Sequence, residues 1–385
     1  MYKRILSLDL WKTSSCFLWS PRQTGKSTLL KSSFPKAQYY DLLLSDIYLK
    51  LINNPKIIRE ECEAQKLNGE TQENPIIIDE IQKIPILLDE IHWLIENRDL
   101  KFILCGSSAR KLKRGRGNLL GGRAIRYELF PLCFPEIPDF NIENALNSGL
   151  IPRYYQSVNY KRLFQSYIGD YLKEEIVAEA LTRNIPAFSR FLEIAALSNG
   201  EQLNYQKIAS DCSISAPTVK EYYQILIDTL IGRYVQAFRK RLKRRLILTP
   251  KFYFFDIGVV GHLARRGEVK QGSELYGKAF EHFIYLELLA YSYYSDNFYP
   301  ISYWRTAGGV EIDFILGDAD IAIEVKSANQ INNRHLQGMR SFNEEGYKSR
   351  LLVVSMDSDK RKTDDNIEIY PWRIFLESLW NGKII

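Results

Sequence analysis

The chain has 385 residues, of which 45% are hydrophobic and 25% are charged, with 22 glycines and 14 prolines. These proportions exclude collagen-like, low-complexity and largely disordered chains, and at about 100–200 residues per domain they indicate two or three domains. The net charge is only +6, but residues 110–126 and 229–255 carry seven and eight basic residues and no acidic ones. Such runs suit phosphate or nucleic-acid contacts, and they also suit a solvated loop.

The sequence favours a cytoplasmic protein with no membrane partner. It has no apolar run of the ~18–20 residues that a membrane helix needs, and residues 1–7 lack the apolar core and cleavage site of a secretory signal. The five cysteines are scattered and never form a C-x-x-C pair. That pattern argues against a disulfide framework or a zinc site and for a reducing compartment.

Residues 1–135 alternate short apolar runs with helical stretches. Residues 16–19, 75–79 and 100–105 are apolar on both faces, which predicts buried strands of a parallel sheet. Residues 86–97 have a helical pattern. We therefore predict an α/β domain over residues 1–135, with helices covering the sheet.

The strongest motif follows the first of these strands and opens a helix, the context that a P-loop requires. It reads Ser20, Pro21, Arg22, Gln23, Thr24, Gly25, Lys26, Ser27, Thr28. Lys26 would reach the β- and γ-phosphates of ATP, and the Ser27 hydroxyl would bind Mg²⁺. Ser20 stands where the pattern has its first glycine, so we expect weakened rather than absent nucleotide binding if the loop needs a positive φ there.

Two carboxylates end the second apolar run. Asp79 would hold Mg²⁺ through water, and Glu80 would polarise the attacking water. A serine after the third run, Ser107 or Ser108, could sense the γ-phosphate. Ligands bind outside the carboxyl ends of parallel strands, so these side chains and the P-loop should form one site for ATP and Mg²⁺.

The middle of the chain reads as helical over residues 136–200 and as a winged helix-turn-helix over residues 201–255. Helices at 160–181, 185–197, 204–211 and 216–231 precede two strands at 234–238 and 246–255. Thr218, Lys220 and Tyr222 would lie where a recognition helix meets bases. The hairpin tip would grip DNA phosphates, although many winged helices contact proteins instead. Its basic residues are Arg239, Lys240, Arg241, Lys243, Arg244 and Arg245.

Residues 256–385 predict a last α/β unit with a helix at 273–294, a hairpin at 310–327 and a strand at 350–355. A turn at Asp318 and Ala319 would place Asp313 opposite Glu324 and Glu311 opposite Lys326, with all four on one face. The other face should be apolar and enter the core, with Ile312, Phe314, Ile323 and Val325.

Facing carboxylates repel unless a cation or a shared proton relieves them. A second Mg²⁺ or Mn²⁺ held by Asp313, Glu324 and Glu281 could do so and activate water, with Lys326 orienting that water. The D…E-x-K spacing matches the core of restriction-type nucleases. Two alternatives stay open, namely an ion network in which Lys326 neutralises the acids, and an inactive nuclease fold that binds DNA or another partner.

Several stretches together resemble a prokaryotic family with an AAA-type ATPase domain, a winged helix and a C-terminal restriction-nuclease-like domain of unknown function. They are residues 17–28, 78–85, 106–110, 121–123, 251–258 and 311–314. The resemblance implies a P-loop core with Lys26, Ser27, Asp79, Glu80 and Ser107 in the roles above. By analogy Arg123 could act as an arginine finger toward a neighbouring subunit, which would require a homo-oligomer. The alternative is that Arg123 is simply one more member of a basic loop.

The combined interpretation is a Mg²⁺-dependent ATPase, associated with DNA, whose nucleotide state orders residues 110–126 and shifts the C-terminal units. Two alternatives remain. One is a nucleotide-gated DNA-binding switch with negligible turnover, and the other is a metal-dependent DNA nuclease regulated by ATP.

Overall fold

The computed structural model describes residues 2–108, 120–172, 184–239 and 249–385. Most of the basic run at 110–126, the end of the helix predicted at 160–181 and the basic tip at 240–245 therefore lie outside the described residues. The chain divides into two compact units, Arg4–Pro131 with Asp228–Ile231, and Met1–Lys3 with Leu132–Ile227 and Gly232–Ile385. Within the described ranges, no helix has the length and apolarity to cross a membrane.

The described part of the first unit contains a parallel sheet in the order β2-β3-β4-β1-β5. Its strands are β1 Ser15–Trp19, β2 Tyr39–Asp41, β3 Ile76–Asp79, β4 Phe102–Gly106 and β5 Ala124–Glu128. The helices are α1 Lys26–Ser33, α2 Ser45–Asn53, α3 Ile57–Ala64 and α4 Leu87–Arg98. All residues of β1, β3 and β4 are buried, because helices cover both faces of such a sheet.

This sheet confirms the predicted α/β class and the three predicted strands. Sequence reasoning missed β2, which has three residues and carries no apolar run. Its pairing with β3 matters for function because it brings Tyr39 beside the carboxyl end of β3, where Tyr40 aligns with Ile78 and Asp41 with Asp79.

The second unit begins with helices. They are α5 Ile142–Ser148, α6 Tyr160–Ser166, α7 Ile185–Leu197, α8 Tyr205–Cys212, α9 Ala216–Asp228 and α10 Ile257–Leu263. The α-helical part of the predicted 160–181 segment ends at Ser166, and a π-helical turn, Tyr167–Leu172, follows it. Ser215 caps α9 as expected, since its hydroxyl accepts a hydrogen bond from the Thr218 N–H at 3.2 Å.

One residue of the predicted recognition helix cannot meet bases. Tyr222 is buried, with its ring 4.9 Å from Phe188 and 5.3 Å from Phe191. It therefore belongs to the core between α7 and α9. Lys220 is exposed on α9 and lies over the Tyr205 ring at 5.2 Å.

A mixed sheet completes the described part of the second unit, in the order β12-β13-β11-β10-β9-β8-β6-β7. Its strands are β6 Gly232–Ala237, β7 Lys251–Phe254, β8 Ile301–Arg305, β9 Glu311–Leu316, β10 Ile321–Lys326, β11 Arg350–Ser355, β12 Arg361–Lys362 and β13 Glu368–Pro371. The helices beside it are α11 Glu274–Tyr294, α12 Gln337–Asn343 and α13 Trp372–Trp380. The antiparallel pair β6–β7 joins β8 through β6, so the boundary predicted at 255/256 crosses one continuous sheet.

The register of the hairpin between β9 and β10 is the predicted one. Ile321 pairs with Leu316 and Ile323 with Phe314. The described pairing ends at Phe314, so the facing of Asp313 with Glu324 and of Glu311 with Lys326 stays a prediction. The predicted apolar face was wrong at β9, because a bulge shifts the β8–β9 register between Ser302 and Trp304. A bulge interrupts the alternation of side chains. As a result Ile312 packs with Ile315 in the core, whereas the Phe314 ring stacks on Tyr285 of α11 at 6.0 Å.

A buried carboxyl group in α11 makes the stability of this unit sensitive to pH. Glu287 is 1% exposed, and it accepts hydrogen bonds from the Phe134 N–H at 2.9 Å and the Trp380 Nε1–H at 2.7 Å. Burial raises the pKa of Glu287 from 4.5 to about 8, although both hydrogen bonds oppose the shift. Between about pH 4.5 and 8 the folded chain keeps a proton that the unfolded chain loses, so the free energy of unfolding falls as the pH rises.

Glu287→Gln should flatten this dependence. Urea unfolding at pH 5.5 and pH 8.5 would measure it, and the loss of stability between the two should be smaller in Glu287→Gln than in the wild type. In the variant, the NH₂ group of the new amide faces one of the two N–H donors at both pH values. The energetic cost of that contact therefore cancels when the two pH values are compared. The control is Glu274→Gln, which changes an exposed carboxyl group. If the wild type, Glu287→Gln and Glu274→Gln showed the same pH dependence of stability, the raised pKa of Glu287 would be contradicted.

Candidate functional site

The P-loop connects β1 to α1 through two residues with positive φ. Gly25, the N-cap of α1, has φ 98°, and Gln23 has φ 64°. Glycine adopts such a conformation without strain, which accounts for Gly25 at the point where the loop becomes helix. N–H groups at the start of such a helix can bind an anion.

Ser20 behaves differently from the expectation. Its backbone does not lie in the left-handed region, so the strain that we expected from replacing glycine there is absent. Its buried hydroxyl contacts Thr24 Oγ1 at 2.6 Å and accepts a hydrogen bond from Lys26 Nζ at 3.1 Å, and its carbonyl oxygen accepts a second one at 3.0 Å. The ammonium of Lys26 is thus held inside the loop, and burial lowers its pKa while Glu80 and Asp79 oppose that shift.

Ser27 and Asp79 meet directly. The Ser27 hydroxyl donates to Asp79 Oδ2 at 2.8 Å, and the Tyr39 hydroxyl donates to the same oxygen at 2.5 Å. Asp79 is 2% exposed, and its Oδ1 accepts from Cys105 Sγ at 3.1 Å. Burial, and then the bond to Asp79, raise the pKa of Tyr39. The structure therefore brings together the hydroxyl and the carboxylate that the sequence assigned to magnesium.

The next carboxylate lies in a strained turn. Glu80 follows β3 with φ 62° and ψ 42°, a left-handed conformation that non-glycine residues rarely adopt. Its buried carboxylate accepts a hydrogen bond from Gln82 Nε2, which also contacts Ser107 Oγ at 3.2 Å. Strained backbone of this kind is concentrated at functional sites. Sequence reasoning placed Glu80 and Ser107 here and missed Gln82.

Arg4 is a second residue that sequence reasoning missed. Its guanidinium donates to the Thr24 carbonyl in the P-loop at 2.6 Å, and to the carbonyl oxygens of Phe130 at 2.7 Å and Pro131 at 3.2 Å. This clamp ties the P-loop to the chain that leaves β5. The sequence offered no signal for it, because Arg4 is 20 residues from its first partner and 126 from its second.

Arg123, the predicted arginine finger, pairs within its own unit. Its Nε donates to Glu96 Oε1 on α4, and both side chains remain nearly half exposed. This pairing agrees with the alternative that Arg123 is a member of a surface loop. A role toward a second subunit stays a prediction.

The carboxylates of the C-terminal hairpin come together as predicted, but cations from the chain already accompany them. Lys251 of β7, whose side chain is 4% exposed, lies 3.3 Å from Glu281 and also pairs with Glu311. Arg305 contacts Glu311 at 2.8 Å, and Lys326 pairs with Glu324. Burial opposes the charged form of Lys251, yet Glu281 and Glu311 outweigh it and raise the pKa.

The described residues give no support to a metal ion in this arrangement. Among the described residues, no group of three or more His, Cys, Asp or Glu side chains is placed to hold one. Asp313 Oδ2 accepts a hydrogen bond from the Val325 N–H at 2.8 Å. Burial, followed by repulsion from Glu324, raises the pKa of Asp313 well above its ordinary value, which favours a proton there. The ion-network alternative is therefore the better account, and the predicted metal ligands Glu281, Asp313 and Glu324 find no support.

The ion network predicts a large cost for removing Lys251. Lys251→Met leaves two carboxylates without their shared ammonium, so we expect about 3 kcal/mol of lost stability at pH 7. Lys278→Met, which breaks half-exposed pairs with Glu201 and Glu274, should cost less than about 1 kcal/mol. Urea unfolding measures both. Stabilisation of the wild type by Mn²⁺ that disappears in Glu324→Gln would contradict the network and favour a metal site.

Three family models match consecutive parts of the chain. Residues 13–138 match a family described as AAA domain. This match covers about a third of the chain, and the matched region is called the AAA domain below. This AAA domain contains the P-loop, Asp79, Glu80 and Ser107, so the predicted AAA-type core is confirmed. Residues 140–270 and 276–375 match two domains of unknown function, DUF8612 and DUF4143. The first of these ranges crosses the boundaries predicted at 200/201 and 255/256.

Two curated proteins and one solved structure are similar to this chain. Uncharacterized proteins Rv2008c of Mycobacterium tuberculosis and Mb2031c of Mycobacterium bovis are each 23% identical over 279 residues, covering 70% of this chain. The matched region spans 62% of their own length. A STAND protein (Signal Transduction ATPase with Numerous Domains) with a tetratricopeptide repeat sensor from Pyrococcus horikoshii is 14% identical, with a TM-score of 0.22 over 74% of this chain and 44% of its own. That likeness adds nothing to the fold assignment. The winged helix and the nuclease-like domain stay predictions.

Proposed function

We propose that the AAA domain binds ATP with Mg²⁺ and hydrolyses it to ADP and phosphate. The observation that carries the proposal is the direct contact of Ser27 with Asp79 at 2.8 Å. Lys26, the residue before Ser27, has a buried side chain. A nucleotide site of this class needs a hydroxyl, a carboxylate and an ammonium at the end of one sheet. Here α1, β3 and the P-loop supply them.

The phosphates would lie over the loop of residues 20–28. The N–H groups that open α1 would bind the β-phosphate, and Lys26 would leave Ser20 to contact the β- and γ-phosphates. Ser107, at the end of β4, would contact the γ-phosphate. The side chains of Lys26 and Ser107 are buried, so their charge or dipole acts in a medium of low dielectric and is stronger than in water.

Magnesium fits the oxygen pair at Ser27 and Asp79. It prefers hard oxygen ligands and keeps several waters, so one hydroxyl and one carboxylate at hydrogen-bond distance suffice on the protein side. When bound, Mg²⁺ neutralises phosphate charge. Tyr39 donates to the same carboxylate oxygen and would orient it.

Glu80 would serve as the general base. In the hydrolysis step a water oxygen bonds to the γ-phosphorus, the bond from that phosphorus to the oxygen shared with the β-phosphate breaks, and the water proton passes to Glu80. The positive φ of Glu80 aims the residue away from the strand direction and toward the site. A general base of this kind contributes about 10²–10⁴-fold to the rate.

Calorimetric titration of the full chain with ADP and with a non-hydrolysable ATP analogue tests the proposal. With 5 mM Mg²⁺ we expect one nucleotide per chain, and weaker binding in EDTA. Ser27→Ala should reduce the difference between the two conditions, while Ser32→Ala on the outer part of α1 should not. No heat with either nucleotide would overturn the proposal.

DNA association and subunit assembly stay predictions. The described residues that favour a DNA contact are Lys220 on α9 and Arg239 after β6, both of which are exposed. A nuclease is not proposed, because the ammonium groups of Lys251 and Lys326 already pair with the acids that would have to bind the metal.

A further inference from the structure

Gln82 occupies a position in the site that the P-loop mechanism leaves unassigned. It lies in the 3₁₀ turn Ile81–Lys83, which follows Glu80 at the end of β3. Its side chain is buried, and Nε2 reaches both Glu80 Oε2 and Ser107 Oγ, the latter at 3.2 Å. One amide group therefore joins the residue proposed as general base to the residue proposed as γ-phosphate sensor on the neighbouring strand.

The surrounding chain is shaped to admit this amide. The Lys83 N–H bonds to the Glu80 carbonyl at 2.9 Å, and this turn, with the positive φ of Glu80, brings the Gln82 side chain back toward β4. Opposite it lies Gly106, where a Cβ atom would come within 2.1 Å of Gln82 Oε1 and 2.9 Å of the Trp19 ring. Any larger residue at 106 would push the amide from its slot.

The amide is held there at a cost in stability. Among the described residues Gln82 Oε1 is buried and has no hydrogen-bond partner, and an unsatisfied buried oxygen is unfavourable. A residue that served packing alone would be better replaced by an apolar side chain of the same size. The retained polar group is explained if its NH₂ group performs a task at Glu80 and Ser107.

We propose that Gln82 is a positioning residue for hydrolysis, a role that rests on the proposed function. Its NH₂ group fixes the Glu80 carboxylate toward the attacking water and couples its orientation to Ser107, so that contact of Ser107 with the γ-phosphate is transmitted to the base. Gln82 itself forms and breaks no covalent bond. The water proton still passes to Glu80.

Two substitutions separate this role from a structural one. Gln82→Leu removes both hydrogen bonds and the orphaned oxygen, so we expect kcat to fall about 10- to 100-fold, as for other outer-sphere partners of a catalytic group, with nucleotide Kd within 2-fold of wild type and no loss in Tm. Gln82→Glu places a second carboxylate beside Glu80. Because neighbouring carboxylates resist ionising together, the acidic limb of the kcat–pH profile should move to higher pH.

The matched control is Gln72→Leu. Gln72 is hydrogen-bonded at both ends of its amide, to the backbone carbonyl and N–H of Lys101 at 2.7 Å each, and it lies away from the site residues. Its loss should lower Tm and leave kcat unchanged. Wild-type kcat in Gln82→Leu, or an unshifted profile in Gln82→Glu, would overturn the positioning role alone. Failure of the wild-type chain to bind and hydrolyse ATP would overturn the proposed function and this role with it.

Discussion

Lys26→Ala should abolish detectable nucleotide binding, which we expect as a loss of at least about 100-fold in affinity. The ammonium is buried in the loop and faces the carboxylates of Glu80 and Asp79, so without it a triphosphate would meet buried negative charge with no compensating cation. Removing one partner of a buried charged contact typically costs 3–5 kcal/mol. Calorimetry with ADP and Mg²⁺ measures the change.

A control on the same helix separates charge from folding. Lys31 is exposed on α1 and lies over the Tyr39 ring at 5.3 Å, so Lys31→Ala removes an equal charge without touching the loop. It should bind nucleotide as the wild type does. Equal affinities in the wild type and Lys26→Ala, with both proteins folded by circular dichroism, would remove the basis for a phosphate site at this loop.

Glu80→Gln should retain nucleotide affinity and lose turnover. The amide has nearly the same shape as the carboxylate but cannot accept the proton of the attacking water, so we expect kcat to fall about 10²- to 10⁴-fold with an affinity for the non-hydrolysable analogue within a few-fold of wild type. Phosphate release under single-turnover conditions measures the chemical step. The variant should therefore accumulate bound ATP.

The exposed acid Glu73 provides the control, because Glu73→Gln changes the same charge in the same domain. It should hydrolyse ATP at the wild-type rate. If Glu80→Gln also kept the wild-type rate, the base would have to be another group, and the role of Gln82 would fall as well. Parallel loss of binding in Glu80→Gln would instead indicate a structural defect of the turn.

Much of the AAA domain could be predicted because its signals are local. A run such as Ile76–Asp79 is buried on both faces, and such short apolar runs are typical of the covered strands of a parallel sheet. Gly25 adopts the positive φ that the loop needs, so the residues of the motif themselves specify the conformation of the loop. The hairpin register between β9 and β10 was predictable for the same reason, since a tight turn determines which residues face each other.

The site contacts that the sequence analysis did not predict join residues that are far apart in the sequence. Tyr39 lies 40 residues from Asp79, and Lys251 lies 30 residues from Glu281 and 60 from Glu311 in the sequence. None of these three pairs has a spacing that a sequence motif could detect. The Lys251 contacts changed the interpretation of the acidic hairpin from a metal site to an ion network, because a buried ammonium supplies the positive charge that we had assigned to Mg²⁺ or Mn²⁺.

The sequence by itself determined the AAA-type core, the residues of its phosphate loop and the two acids after β3, because backbone conformation in strands and tight turns depends on neighbours within a few residues. Only the tertiary structure decided which side chains act on those acids. Tyr39 on Asp79, Arg4 on the P-loop and Gln82 on Ser107 are all contacts made by packing. Packing depends on the whole sheet and its covering helices, so no short stretch of sequence encodes it.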